Sequence, residues 1–152
     1  MQDLERVLKA HPFCAGLADE HLATLVGCTR NLLFRPGEFL MREGHAEDCL
    51  YLIRRGQVAL EMQRPGAGAV CLETVVAGDV LGVSCLTPHN AHLDCRAQDA
   101  VVALALDNQC LLRKMNEDPR LGYALSMRLL DLTYQRLSRH RLQALDVYRS
   151  EP

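Results

Sequence analysis

Between about Thr29 and Asp107 the chain is cut into short apolar runs by clusters of turn-forming residues. Leu32 to Phe34 precede Arg35-Pro36-Gly37, and Glu38 to Met41 precede Glu43-Gly44. Cys49 to Ile53 precede Arg54-Arg55-Gly56, and Val58 to Met62 precede Arg64-Pro65-Gly66. Val70 to Val76 precede Ala77-Gly78-Asp79, and Ala100 to Leu106 end at Asp107. Such runs are too short for stable helices, so this stretch predicts an antiparallel sandwich or barrel. Gly56 suits a hairpin turn that needs positive φ. Val58, Leu60 and Met62 share one face of their strand, and Ala59, Glu61 and Gln63 the other. Ala100 to Leu106 is apolar on both faces, which predicts a strand covered on both sides.

Outside this stretch the period is helical. Leu4, Val7 and Leu8 share a helix face, His11-Pro12 breaks it, and Ala18-Asp19-Glu20 opens a second helix ending at Gly27. Gln109 to Asn116 predicts a short helix. Asp118-Pro119 then supplies an acidic N-cap and a proline at the first helical position. From there to about Tyr148 no proline intervenes, which predicts a helix of roughly 28 residues, about 42 Å long. Its first apolar stripe, Leu121, Leu125, Leu129 and Leu132, is expected to cover the β core. Its second stripe, Met127, Leu130, Tyr134, Leu137, Arg141, Ala144 and Tyr148, alternates spacings of three and four. A helix longer than the side of a small barrel, with such a stripe, is expected to pair with a second copy. Met127, Leu130, Tyr134, Leu137 and Ala144 are the expected dimer residues.

The 152 residues suit a single domain, with a helical segment over 1–28, strands over 29–107 and helices over 108–148. A net charge of −2 argues against a broad electrostatic grip on nucleic acid or an anionic membrane. No signal-peptide pattern and no bilayer-length apolar run stands out, so the expected location is the cytoplasm. The seven cysteines contain no Cys-x-x-Cys pair and are expected to be buried, reduced thiols. There is no nucleophile–base motif, phosphate loop or suggestive pair of carboxylates, so an enzyme is not expected.

The order of parts resembles the sensor half of the catabolite-activator/FNR regulator family, whose domains are of the cyclic-nucleotide-binding type. The resemblance is carried by His11-Pro12-Phe13 with Gly16-Leu17, by Phe34-Arg35-Pro36-Gly37-Glu38-Phe39-Leu40, and by Glu43-Gly44 followed by Cys49-Leu50-Tyr51-Leu52-Ile53 and Gly56-Gln57-Val58. Gly78-Asp79-Val80-Leu81-Gly82 resembles the approach to the family's phosphate-binding cassette, and Asp118-Pro119 opens the counterpart of its dimerising helix. The resemblance implies a mainly β fold: an eight-stranded antiparallel β-roll, a jelly-roll-like double-stranded β-helix, with N-terminal helices and a long C-terminal helix. It also implies a ligand pocket inside the roll, closed by that helix, and a cytoplasmic dimer acting in signal transduction. Family transcription factors continue into a helix-turn-helix module. Only Arg149 to Pro152 follow Tyr148 here, so direct DNA binding in that manner is not expected.

The cassette departs from the pattern. Burying a cyclic phosphate calls for backbone N–H groups and usually an arginine, and a carboxylate typically grips the ribose. Gly82 matches the cassette glycine, but Val83 stands at the glutamate position. Counting back from Cys95-Arg96-Ala97 puts Ala91, followed by His92, at the arginine position. A buried anion without a charge partner is costly, so tight binding of cAMP is not expected. The candidate pocket residues are Gly82, Val83, Ser84, Cys85, Ala91 and His92, with Tyr134 and Arg136 from the long helix. Arg128 or Arg136 would be the replacement positive charge. With Val83, Cys85 and Leu93 in place, the pocket is expected to be small, dry or tuned to a less charged ligand. Three readings follow: a sensor with a non-standard ligand or a protein partner, a cyclic-nucleotide receptor with a variant pocket, and a redox, haem or metal sensor built on Cys85, Cys95, His89 or His92. No cofactor is expected from these residues; two exposed loop histidines are the plainer reading of His89 and His92.

Overall fold

A computed structural model describes the backbone of residues 2–149 and the side chains of residues 3–142. Three helical pieces come first: α1 (Gln2–Ala10), a 3₁₀ turn (Pro12–Cys14) and α2 (Asp19–Val26). Eight strands follow: β1 (Thr29–Phe34), β2 (Phe39–Met41), β3 (Cys49–Arg55), β4 (Val58–Arg64), β5 (Gly68–Val75), β6 (Val80–Leu81), β7 (Asp94–Ala97) and β8 (Val101–Asp107). A second 3₁₀ turn (Val83–Leu86) separates β6 from β7. The chain ends in α3 (Asn108–Glu117) and the 31-residue α4 (Pro119–Arg149), about 46 Å long.

The strands form two four-stranded antiparallel sheets, ordered β1-β8-β3-β6 and β2-β7-β4-β5. β8 and β3 lie inside the first sheet, and their side chains alternate between two cores. Leu104 and Leu106 of β8, with Leu50 and Leu52 of β3, join a core under the helices. Val101, Ala103 and Ala105 of β8, with Cys49, Tyr51 and Ile53 of β3, join a core between the sheets. The unbroken apolar run from Val101 to Leu106 thus serves two layers at once. Each fully buried leucine contributes about 1.5–3 kcal/mol relative to an exposed one.

On β4 the expected alternation does not divide inside from outside. Ala59 and Glu61 are buried along with Val58 and Leu60, while Met62 is 40 % exposed. Glu61 is admitted because Arg96 of β7 pairs with both its carboxylate oxygens, at 2.8 and 3.1 Å. That contact also accounts for Arg96, which faces Glu61 rather than a ligand.

Asp107 caps α3 by accepting from the Cys110 N–H, and Asp118 accepts from Arg120 N–H at 3.1 Å at the start of α4. Leu121, Leu125 and Leu129 are buried against the helical core, with Leu132 packed beside them. Arg128 turns the other way from a ligand. Its Nε donates to the Phe13 carbonyl at 3.0 Å and its Nη2 to that of Ala15, so it pins α4 to the first 3₁₀ turn.

Two cysteines correct the expectation of seven reduced thiols. Cys28 and Cys110 form a disulfide, with Cα atoms 5.6 Å apart. The cause is the pairing of β1 with β8, which sets Thr29 opposite Leu106. The residue before β1 therefore lies beside the first turn of α3. The other five are free thiols, buried at Cys14, Cys49, Cys85 and Cys95 and exposed at Cys71.

Candidate functional site

A cavity of about 200 Å³ lies between the second sheet, the β6–β7 connection and α4. Met41, Leu60 and Cys95 form its floor on β2, β4 and β7. Leu81, Gly82, Val83 and Ser84 form one wall, and His92 and Leu93 another. Thr133, Arg136, Leu137 and His140 of α4 lie across it. Most of the lining is apolar, and the volume falls below the ~300–1,000 Å³ of ordinary ligand pockets.

Of the residues expected at the pocket, Gly82, Val83, Ser84, His92 and Arg136 line this cavity together. Three do not. Cys85 points to the opposite side of its 3₁₀ turn, into the core under the helices. Ala91 packs in the core between the sheets, its N–H and carbonyl bonded to His45 and Gly44. Tyr134 is 68 % exposed, on the outward stripe of α4.

Gly82 is explained without a ligand. Its φ is +94°, and a Cβ there would run into the Cys49 carbonyl of β3. Glycine is needed for the left-handed backbone and for close approach of the two strands. The family resemblance assigns Gly82 to the ligand pocket; the neighbour that is actually close is β3.

Arg136 is the one arginine on the cavity lining among the described residues. Its Nη2 donates to the Val80 carbonyl at 2.9 Å, and its Nε lies 3.8 Å from Oε2 of Glu73 on β5. Glu73 also accepts from Arg139 Nε at 3.0 Å and Nη2 at 2.7 Å, and from His140 Nε2 at 2.9 Å. Burial alone would raise the Glu73 carboxyl; the bonds from His140 and Arg139 and the charges of Arg139 and Arg136 outweigh it and hold it below the usual carboxylate range. Burial lowers the pKa of Arg136, opposed by the charges of Glu73 and Asp79. The guanidinium stays charged all the same. Among the described residues, two side-chain atoms of lining residues are buried without a hydrogen-bond partner: Ser84 Oγ and Arg136 Nε.

The thiols beside the cavity are not poised for chemistry. Burial pushes both Cys85 and Cys95 up to about 12, so both stay protonated at neutral pH, whereas the thiolate is the ligating and nucleophilic form. His89 and His92 are solvent-exposed. Among the described residues no three of His, Cys, Asp and Glu gather in a way that would hold a metal ion.

Sequence reasoning missed His140, Thr133 and above all Glu73. The i, i+3, i+4 spacing of Arg136, Arg139 and His140 was the available signal, since it puts three basic groups on one helix face. Nothing in the spacing of β5 points to their partner.

A sandwich of two antiparallel sheets with a cavity roofed by a long helix defines a binding domain. A family model for the cyclic nucleotide-binding domain matches residues 32–118, and the chain belongs to that family. It is similar to a cyclic nucleotide-binding domain from Methylobacillus flagellatus, with a TM-score of 0.81 and 21 % identity, over 95 % of this chain and 82 % of that one. It is also similar to a cyclic nucleotide-binding protein from Geobacter metallireducens, with a TM-score of 0.78 and 28 % identity, over 90 % of this chain and 99 % of that one. The sensor domain of the transcriptional regulator DNR from Pseudomonas aeruginosa shares the fold, with a TM-score of 0.70 and 17 % identity, over 90 % of this chain and 93 % of that one. The resemblance to the catabolite-activator/FNR sensor half therefore holds at the level of the family and its structural neighbours. The family is one of regulatory binding domains. Among the described residues no helix is long and apolar enough to cross a membrane.

Proposed function

We propose that this chain is a non-enzymatic regulatory or sensor domain whose ligand is not a standard cyclic nucleotide, or which signals through a protein partner. The observation that carries this reading is the pair Val83 and Ala91, at the two cassette positions where the resemblance implies a carboxylate and an arginine. Arg136 does not make up the loss, because its charge is already faced by Glu73. An apolar lining of Met41, Leu60, Leu81, Val83 and Leu93 supports the same conclusion.

On this reading the chain is one domain, with a helical segment over 1–28, a jelly-roll-like β-roll over 29–107 and helices over 108–148. It works in the cytoplasm as a dimer paired along α4. Gly82, Val83, Ser84, His92 and Arg136 form the working pocket. The deciding experiment is isothermal titration of the purified protein with cAMP and with cGMP. No heat at millimolar ligand is expected. Tight binding of either nucleotide would overturn the reading in favour of a variant cyclic-nucleotide receptor.

One observation favours a second reading, a redox sensor. It is the Cys28–Cys110 disulfide, not Cys85 or Cys95. A bond of this kind is open to reduction in a cytoplasmic environment, and it ties the start of the sheet to the helix that leads into α4.

A further inference from the structure

Glu73 is an unusual neighbour for a site meant to receive an anion. Its side chain is only 14 % exposed, and three basic groups of α4 face it: Arg139 and His140 through hydrogen bonds, Arg136 at 3.8 Å. Asp79 is a second carboxylate whose charge reaches Arg136. Arg136 and Arg139 thus both face the Glu73 carboxylate already in the fold. An entering anion would find the charge of Arg136 already faced by Glu73, which stands behind the lining and would repel it. Yet the lining is not satisfied. Ser84 Oγ and Arg136 Nε are buried without partners. A buried polar group left unpaired has lost its water and gained nothing in return. What both lack is an acceptor, and an acceptor need not carry charge.

We infer that Glu73 sets this cavity against anions and tunes it to a small, uncharged, mostly apolar molecule that brings a hydrogen-bond acceptor to Ser84 Oγ and Arg136 Nε. The apolar body packs on Leu60, Leu81, Val83 and Leu93, and the acceptor lies toward α4. The cavity volume of about 200 Å³ limits the body to a single ring or a short chain. Glu73 is therefore a specificity-determining residue: it holds the helix cations in place while cancelling their appeal to anions. This inference rests on the reading that the ligand is not a standard cyclic nucleotide, and it names the class of ligand for that same cavity.

Benzamide and benzoate share a ring and differ in charge, so they make a suitable pair of probes. Both are titrated, by calorimetry and ligand-observed NMR at millimolar concentration, into the wild-type protein and Glu73→Gln. The wild type is expected to bind benzamide and to reject benzoate, and Glu73→Gln to shift the preference toward benzoate by about tenfold or more. Equal binding of both probes by the wild type, an unchanged preference in Glu73→Gln, or no binding of either probe to either protein would overturn the inference. Should circular dichroism show that Glu73→Gln does not fold, Ser84→Ala serves instead. It is expected to weaken benzamide by about tenfold, for loss of one hydrogen bond to a buried group, and unchanged affinity would sink the proposal. A cAMP titration on the same wild-type sample separates the two levels: tight cAMP binding removes the underlying reading, whereas benzoate binding without cAMP binding removes only the role of Glu73.

Discussion

At the residue scale, Gly82 shows how one side chain, or its lack, can be read in two ways. The family resemblance makes it a ligand-facing glycine. The backbone makes it a structural necessity, at φ +94° and against the Cys49 carbonyl. The two views predict different outcomes for Gly82→Ala. If the glycine served only a ligand, stability would be untouched. The geometry instead predicts a loss of about 1–3 kcal/mol from the left-handed conformation, increased by the contact with β3. Urea unfolding of the ligand-free variant measures it. An unchanged midpoint would mean that β3 and the β6 turn can part without cost. Val83 and Ala91 are the complementary case. Their identities were legible in the sequence, and their meaning rests on what the resemblance implies for those two positions. Glu73 was not legible at all, because its partners lie 63 to 67 positions further along the chain and meet it only when α4 crosses β5.

At the scale of elements, local signals carried most of the fold. Turn clusters marked out the longer strands, because a chain that must reverse every few residues places Gly, Pro and charged residues at the reversals. Asp118-Pro119 marked the start of α4, where the acid does cap the helix. The two-residue β6 was legible only as the approach to the cassette, since two residues carry no periodicity. The disulfide was not legible, because its half-cystines are separated by 82 positions and are joined only through the register of β1 on β8. It makes a countable prediction. Denatured without reductant, the protein should show five reactive thiols, and seven after reduction. In the folded state Cys71 alone should react quickly, being the exposed free thiol among the described residues. Reduction should lower stability by about 2–4 kcal/mol, since it releases a long loop in the unfolded chain. Seven thiols counted without reductant would show that the bond does not form and would remove the ground for the redox reading.

At the scale of the whole molecule, α4 has to be explained on both of its sides. Its inner stripe is buried, down to 0 % exposure at Leu121. Its outer stripe is bare: Met127 is 47 % exposed, Leu130 63 %, Tyr134 68 % and Leu137 64 %, and Tyr123 and Leu142 extend the same apolar surface. Ala144, also expected on this stripe, lies outside the residues whose side chains are described. Scattered exposed leucines need no explanation, but a continuous apolar stripe at spacings of three and four along one helix does. The partner we propose is a second copy of α4, whose stripe would match it by symmetry. Leu137 belongs both to this stripe and to the cavity lining, so a copy seated there would also cover the mouth of the cavity and feel what fills it. Sedimentation equilibrium is therefore expected to give twice the chain mass of 17.0 kDa for the wild type. Leu130→Glu combined with Tyr134→Glu should give the single-chain mass with the circular dichroism spectrum unchanged. Neither residue lines the cavity, so a small molecule should still bind the monomeric variant, and any change in its affinity would measure the coupling between the pocket and the helix pair. A wild type that stays at the single-chain mass at micromolar concentration would leave this stripe to a different protein and would cut the proposed link between cavity and dimer.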